Sequence, residues 1–144
     1  MSKHSRQRLN VQNNGDVSVV RFTDKRILDK PNIQEIGDQL FGLVDNLGRC
    51  KLLVDFSNVE YLSSAALGKL ITLQKKVQAA GGWLVLCNVD AKIYEVFKTA
   101  KLDRILEIHQ KDESGAEAGL ARLMADLKAR PPGKQSKLSS FPDE

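Results

Sequence analysis

The strongest constraint on this chain is an alternation. Short apolar runs (VSVVRF at 17–22, LLV at 52–54 and WLVLC at 83–87) are separated by longer stretches whose apolar residues recur every three or four positions. A brief aliphatic run bounded by turn residues reads as a strand covered on both faces, and the longer period reads as a helix with one buried stripe. Strands that alternate with helices pair in parallel through right-handed crossovers. The expected class is therefore α/β, with a small mixed sheet of four or five strands and helices packed against it.

The boundaries follow from local chemistry. Residues 9–12 form a short strand, Asn13-Asn14-Gly15-Asp16 is a turn, and 17–22 is the returning strand of an N-terminal hairpin. Pro31 suits the first position of a helix carrying Ile33, Ile36, Leu40, Leu43, Val44 and Leu47, with Gly48 as its stop. Leu67, Leu70, Ile71 and Val77 mark a second helix, ended by Gly81-Gly82. Asp90 caps a third with Ile93, Val96 and Phe97, and residues 102–108 close the sheet edge. Ser114 caps a last helix, within 113–130, whose Leu120, Leu123, Met124 and Leu127 must pack somewhere, with its own sheet the expected place. Residues 131–144, PPGKQSKLSSFPDE, lack periodicity and read as a disordered tail.

Charge and composition narrow the function. Lys and Arg number 22 against 18 Asp and Glu, a net charge of +4. Lys3, Arg6 and Arg8 supply most of that excess on an arm, residues 1–8, expected to be disordered. A nucleic-acid binder gathers its charge on a folded face, so no nucleic-acid partner is expected. No apolar run approaches the ~20 residues of a membrane span, and no secretory signal opens the chain. Cys50 and Cys87 lie far apart with no CxxC, and neither His4 nor His109 has a partner at ligand spacing. No metal, no cofactor and a reduced cytoplasmic setting are expected. Asp55 and Glu60 form a carboxylate pair without nucleophile, base or phosphate cradle, so an enzyme is not expected.

The informative stretch is DFSNVEYLSSAALGKLI, residues 55–71, which runs from a strand end through a loop into the second helix. Ser63 and Ser64 fall where that helix begins, beside backbone N–H groups lacking intrahelical partners. A hydroxyl there is a natural N-cap.

These residues, Asp55, Ser57, Val59, Tyr61, Ser64, Leu67 and Gly68, with GGWLVLCNV at 81–89 and IYEVFKTAKLDRIL at 93–106, resemble in order and spacing the STAS domain. That is the fold of anti-sigma factor antagonists and of modules in sulfate transporters and stressosomes. The likeness covers residues 9–112. It implies a cytoplasmic, non-enzymatic binding module, monomeric or weakly dimeric. Its partner would be an anti-sigma factor of Ser/Thr kinase fold; binding frees a sigma factor, phosphorylation at the start of the second helix reverses it, and a PP2C-type phosphatase restores it.

Laid on without gaps, the family's motif places the phosphoacceptor at Ala65, which has no hydroxyl, and the preceding acidic residue at Ser63. A shift of one residue makes Ser64 the acceptor candidate, with Ser63 second and Ser57, expected to bond loop backbone, behind both. Asp29 matches the family's acidic residue on the neighbouring loop. The expected partner surface is Asp29, Ser57, Asn58, Ser63, Ser64, Ala65, Gly68 and Lys69, with loops 24–30 and 56–63; Thr72 and Lys76 extend it along the outer side of the helix. The alternative is an adaptor subunit of a stressosome-like or ABC-transporter assembly, which needs no local phosphate.

Overall fold

The computed structural model describes residues 8–111 and 114–129. Its elements are β1 (Leu9–Asn14), β2 (Val17–Phe22), β3 (Arg26–Ile27), α1 (Lys30–Asp45), β4 (Lys51–Asp55), β5 (Tyr61–Leu62), α2 (Ser64–Ala79), β6 (Trp83–Val89), α3 (Ala91–Thr99), a 3-10 turn (Leu102–Arg104), β7 (Glu107–Gln110) and α4 (Ala116–Lys128). Five strands form one sheet in the order β1-β2-β4-β6-β7, antiparallel at the β1–β2 hairpin and parallel elsewhere. This is the mixed α/β sheet expected from the alternation.

Strand residues alternate between two cores. Val20, Phe22, Leu52, Val54, Leu84 and Leu86 face α1, α2 and α3, whose Leu40, Leu73, Ile93 and Phe97 are buried against them. Val17, Val19, Leu53, Trp83, Val85 and Cys87 face the other way, under Leu127, Leu120, Leu123 and Met124 of α4. The leucine stripe of the last helix therefore covers its own sheet. Burying both faces explains why the central strands read as unbroken apolar runs.

Several boundaries differ from expectation. The hairpin turn is only Gly15-Asp16, because Asn13 and Asn14 stay in register with Ser18 and Val17. Helix α1 begins at Lys30, one residue before Pro31, and ends at Asp45, leaving Leu47 outside the helix and 67% exposed. The N-cap of α4 is Gly115, with φ of 107°, rather than Ser114. The stretch 102–108 divides into the 3-10 turn and β7. Arg8 belongs to the fold: its guanidinium pairs with Glu35 at 2.8 Å and Asp24 at 3.1 Å. The remainder of the expected arm, residues 1–7, and the expected tail, 131–144, lie outside the described residues.

A second, two-stranded ladder was not expected from the sequence. Arg26↔Tyr61 and Ile27↔Leu62 pair in parallel, the Glu60 and Tyr61 amides donate to the Lys25 carbonyl, and the Ser63 amide donates to that of Ile27. This ladder fastens loop 24–30 against the entrance of α2.

Candidate functional site

The parallel strands β2 and β4 end at the same edge of the sheet, and the chain leaving them carries Asp29 before α1 and Ser57, Asn58 and Ser63 before α2. In open α/β sheets this edge is where binding sites form. Ser63 is the N-cap of α2, and its hydroxyl accepts from the Ala66 amide at 3.4 Å. Ser64, Ala65 and Gly68 are exposed on the first turns, and a Cβ built at Gly68 would meet nothing within 4 Å. Asp29 is exposed at the N-cap position of α1 without a side-chain cap bond. The two serines thus differ: Ser63 spends its oxygen on the helix, whereas Ser64 faces solvent. Ser63→Ala is expected to lower stability by about 0.5–1 kcal/mol, read as a fall of a few degrees in Tm, whereas Ser64→Ala should leave Tm almost unchanged.

Other predicted residues have scaffolding contacts. The Asn58 side-chain amide donates to the Phe22 and Thr23 carbonyls at 3.1 and 3.3 Å, pinning the β4–β5 loop to the end of β2. Ser57 is tied to the Asp55 carboxylate rather than to loop backbone: its N–H donates to Asp55 Oδ1 at 2.9 Å, and its hydroxyl bonds the same carboxylate. Lys69 and Lys76 are less outward than expected. The stem of Lys69 packs on Gly37, Lys76 pairs with Asp45 at 2.9 Å, and both ammonium groups stand within 6 Å of the Phe41 ring. They join α2 to α1, while Thr72 is exposed and donates back to the Gly68 carbonyl.

Asp55, expected as half of a carboxylate pair, is 2% exposed beneath the first turn of α4. Its Oδ2 accepts from Arg21 Nε at 2.8 Å. Its Oδ1 accepts from Asn88 Nδ2 at 3.0 Å, as well as from the Ser57 amide. Asn88 has φ of 55° and sits where β6 bulges against β7, a conformation that Asn tolerates better than most residues. It also donates to the Ala116 carbonyl of α4 at 3.3 Å. Burial, the largest influence, pushes the Asp55 carboxyl up, but the bonds from Arg21, Asn88 and Ser57 together hold it below its ordinary value. Glu60 is exposed and takes no part. Burial, with the Asp55 charge next to it, pushes the Cys87 thiol well up, which suits a packing residue rather than a nucleophile. Among the described residues no group of three His, Cys, Asp or Glu side chains could hold a metal ion, and no helix is long and apolar enough to cross a membrane.

Beside α2 the expected loops 24–30 and 56–63 bring Arg26, Leu28 and Tyr61 together, and Lys92 of α3, which the sequence did not point to, joins them. Tyr61 is 43% and Leu28 45% exposed, the Arg26 guanidinium stands 4.7 Å from the Tyr61 ring centroid, and the Lys92 ammonium of α3 stands 5.8 Å from it. Only the two-residue ladder brings Arg26 and Tyr61 together, and no periodicity announces so short a pairing.

The antiparallel hairpin, the parallel crossovers and the small ladder at the helix entrance define a mixed α/β domain. The chain belongs to the STAS domain family, whose model matches residues 8–115. A Bordetella bronchiseptica protein named as an anti-sigma factor antagonist, BtrV, is 26% identical over 92 residues, covering 64% of this chain and 78% of that one. Among solved structures, an anti-sigma factor antagonist from Thermotoga maritima superposes with a TM-score of 0.67 at 22% identity, over 83% of this chain and 94% of that one. The phosphorylated form of the Bacillus cell fate determinant SpoIIAA does so with a TM-score of 0.59 at 16% identity, over 80% and 98%.

Proposed function

We propose that this chain is an anti-sigma factor antagonist, a cytoplasmic, non-enzymatic module that binds an anti-sigma factor of Ser/Thr kinase fold and so frees a sigma factor. The observation carrying this reading is the exposed entrance of α2: Ser64, Ala65 and Gly68 stand clear of the fold, and Asp29 and Ser57 on the neighbouring loops are exposed as well. Asn58, Ser63 and Lys69, half-buried, shape its rim. Small side chains on a helix turn let a partner backbone approach closely.

Ser64 is the regulatory phosphoacceptor in this reading, taking the role that Ala65 cannot. A phosphate there adds about −1.5 to −2 charges, which the helix dipole favours by only ~0.3–1 kcal/mol. Burying that dianion under a partner costs several kcal/mol, and about 1.4 kcal/mol is already tenfold in affinity. Phosphorylation therefore releases the partner while the domain stays folded, and a PP2C-type phosphatase would restore binding.

Calorimetric titration of the protein with each anti-sigma factor of its own genome tests this. Wild type and Ser64→Ala are expected to bind one of them with similar affinity, and Ser64→Glu at least about tenfold more weakly. Phosphopeptide mass spectrometry on protein from its own cells should find phosphate on the tryptic peptide 52–69, at Ser64. Absence of binding to every such factor would sink the antagonist reading.

Ala65, without a hydroxyl at the family's acceptor position, favours a second reading. This is a STAS adaptor that co-purifies in a large stable assembly and carries no phosphate in any condition.

A further inference from the structure

Next to the α2 entrance, Arg26 and Leu28 alternate with buried Ile27, so both face outward on the side of the small ladder that carries Tyr61. Both apolar side chains are nearly half exposed there. Arg26 and Lys92 both hold their charges over the Tyr61 ring, at 4.7 and 5.8 Å. Some cations among the described residues are neutralised by the fold: Arg8 by Asp24 and Glu35, Arg21 by Asp55, Lys51 by Asp16 and Lys76 by Asp45. Among the described residues Arg26 and Lys92 form no such ion pair, although exposed Asp29 and Glu60 are near in sequence. A ring face steadies a cation without neutralising it, and leaves its outward N–H groups to water or to a ligand.

Resting on the antagonist reading, we propose that Arg26, Tyr61 and Lys92, with Leu28, form the anchor for an acidic segment of the partner protein. Its carboxylates bond Arg26 and Lys92 across the rim of the site, and an apolar side chain among them packs on Tyr61 and Leu28. Arginine and tyrosine are the side chains that most often dominate binding at protein interfaces. The guanidinium fork matches a carboxylate, and the ring supplies apolar area with little entropy to lose. Paired charges at an exposed rim steer encounter, so association weakens as salt rises.

The test is calorimetric titration of the full chain with the anti-sigma factor that wild type binds, at low and high salt. Arg26→Glu/Lys92→Glu is expected to weaken binding at least tenfold at low salt and much less at high salt, and Tyr61→Ala to weaken it at both. Lys98→Glu, exposed near the far end of α3, should bind as wild type, and Tm should stay level across the set. Equal binding by wild type and the double variant overturns the anchor while the antagonist reading stands, and so does an equal loss in Lys98→Glu. Failure of wild type to bind any anti-sigma factor overturns both. Binding of single-stranded DNA, abolished in the double variant, would reassign the cluster to phosphate and overturn the acidic-segment assignment.

Discussion

Replacing Gly82 by alanine should cost the domain about 3 kcal/mol of stability, at the upper end of what overpacking does, a drop on the order of 10 °C in Tm for a chain of this size. The two glycines that end α2 serve different needs. Gly81 has φ of 84° and nothing within 4 Å of a built Cβ, so Gly81→Ala meets only the left-handed penalty, about 1 kcal/mol. At Gly82 a Cβ would lie 1.9 Å from the Cys50 carbonyl oxygen and 2.5 Å from its carbon. Backbone cannot rotate aside as a side-chain tip can. The next amide, that of Trp83, donates to the same Cys50 carbonyl at 2.9 Å, so relief of the clash breaks the bond that opens the β4–β6 ladder. That disturbance passes to Trp83, buried under α4. Thermal denaturation of the two single variants checks the ordering; a Gly82→Ala loss no larger than that of Gly81→Ala would show that the chain yields there cheaply.

Legibility from sequence followed the length of the signal. LLV and WLVLC, buried on both faces, announced β4 and β6 by composition alone, and the stripes of α1 and α2 announced their buried sides. Asp90 announced the cap of α3, and its carboxylate accepts from the Lys92 amide at 3.0 Å. Elements built by tertiary contact stayed hidden. The β3–β5 ladder has two residues per strand, too few for any alternation, and it forms because the β4–β5 loop folds back on Lys25 and Ile27. Arg8 read as part of a solvated arm because its partners, Asp24 and Glu35, are 16 and 27 positions away. At the site, the serines and glycine of α2 were visible as a motif. The motif could not say which of its members touch solvent: Ser64, Ala65 and Gly68 do, while Asp55 and Asn88 of the same pattern are turned inward and hold the loop in place.

Inward-facing Asp55 is where a single atom change should cost most among the polar residues. Asp55→Asn keeps the volume but offers one acceptor oxygen where two donor sets converge, Arg21 on one side and Asn88 with the Ser57 amide on the other. Whichever way the new amide turns, its NH2 faces a donor. The Arg21 side chain, 31% exposed, recovers part of its hydration. The expected loss is therefore about 2–3 kcal/mol at neutral pH, somewhat below that for breaking a fully buried pair.

The pH dependence gives a sharper reading than the magnitude. The folded carboxyl titrates below its ordinary value, so its contribution is fully present above the unfolded value of about 3.9. It is lost as pH falls from there through the lower folded value. Denaturant unfolding across acid pH should show a constant gap between wild type and Asp55→Asn above about pH 5, narrowing only below the ordinary carboxylate range. A gap that closed already near neutral pH would mean that burial outweighs the hydrogen bonds from Arg21, Asn88 and Ser57, with the carboxyl held above its ordinary value. Because Asp55 also fastens Ser57 and, through Asn88, the start of α4, the same substitution should loosen the β4–β5 loop. Amide exchange at residues 57–62 should then speed up in the variant, while exchange in the middle of β4 follows global stability alone.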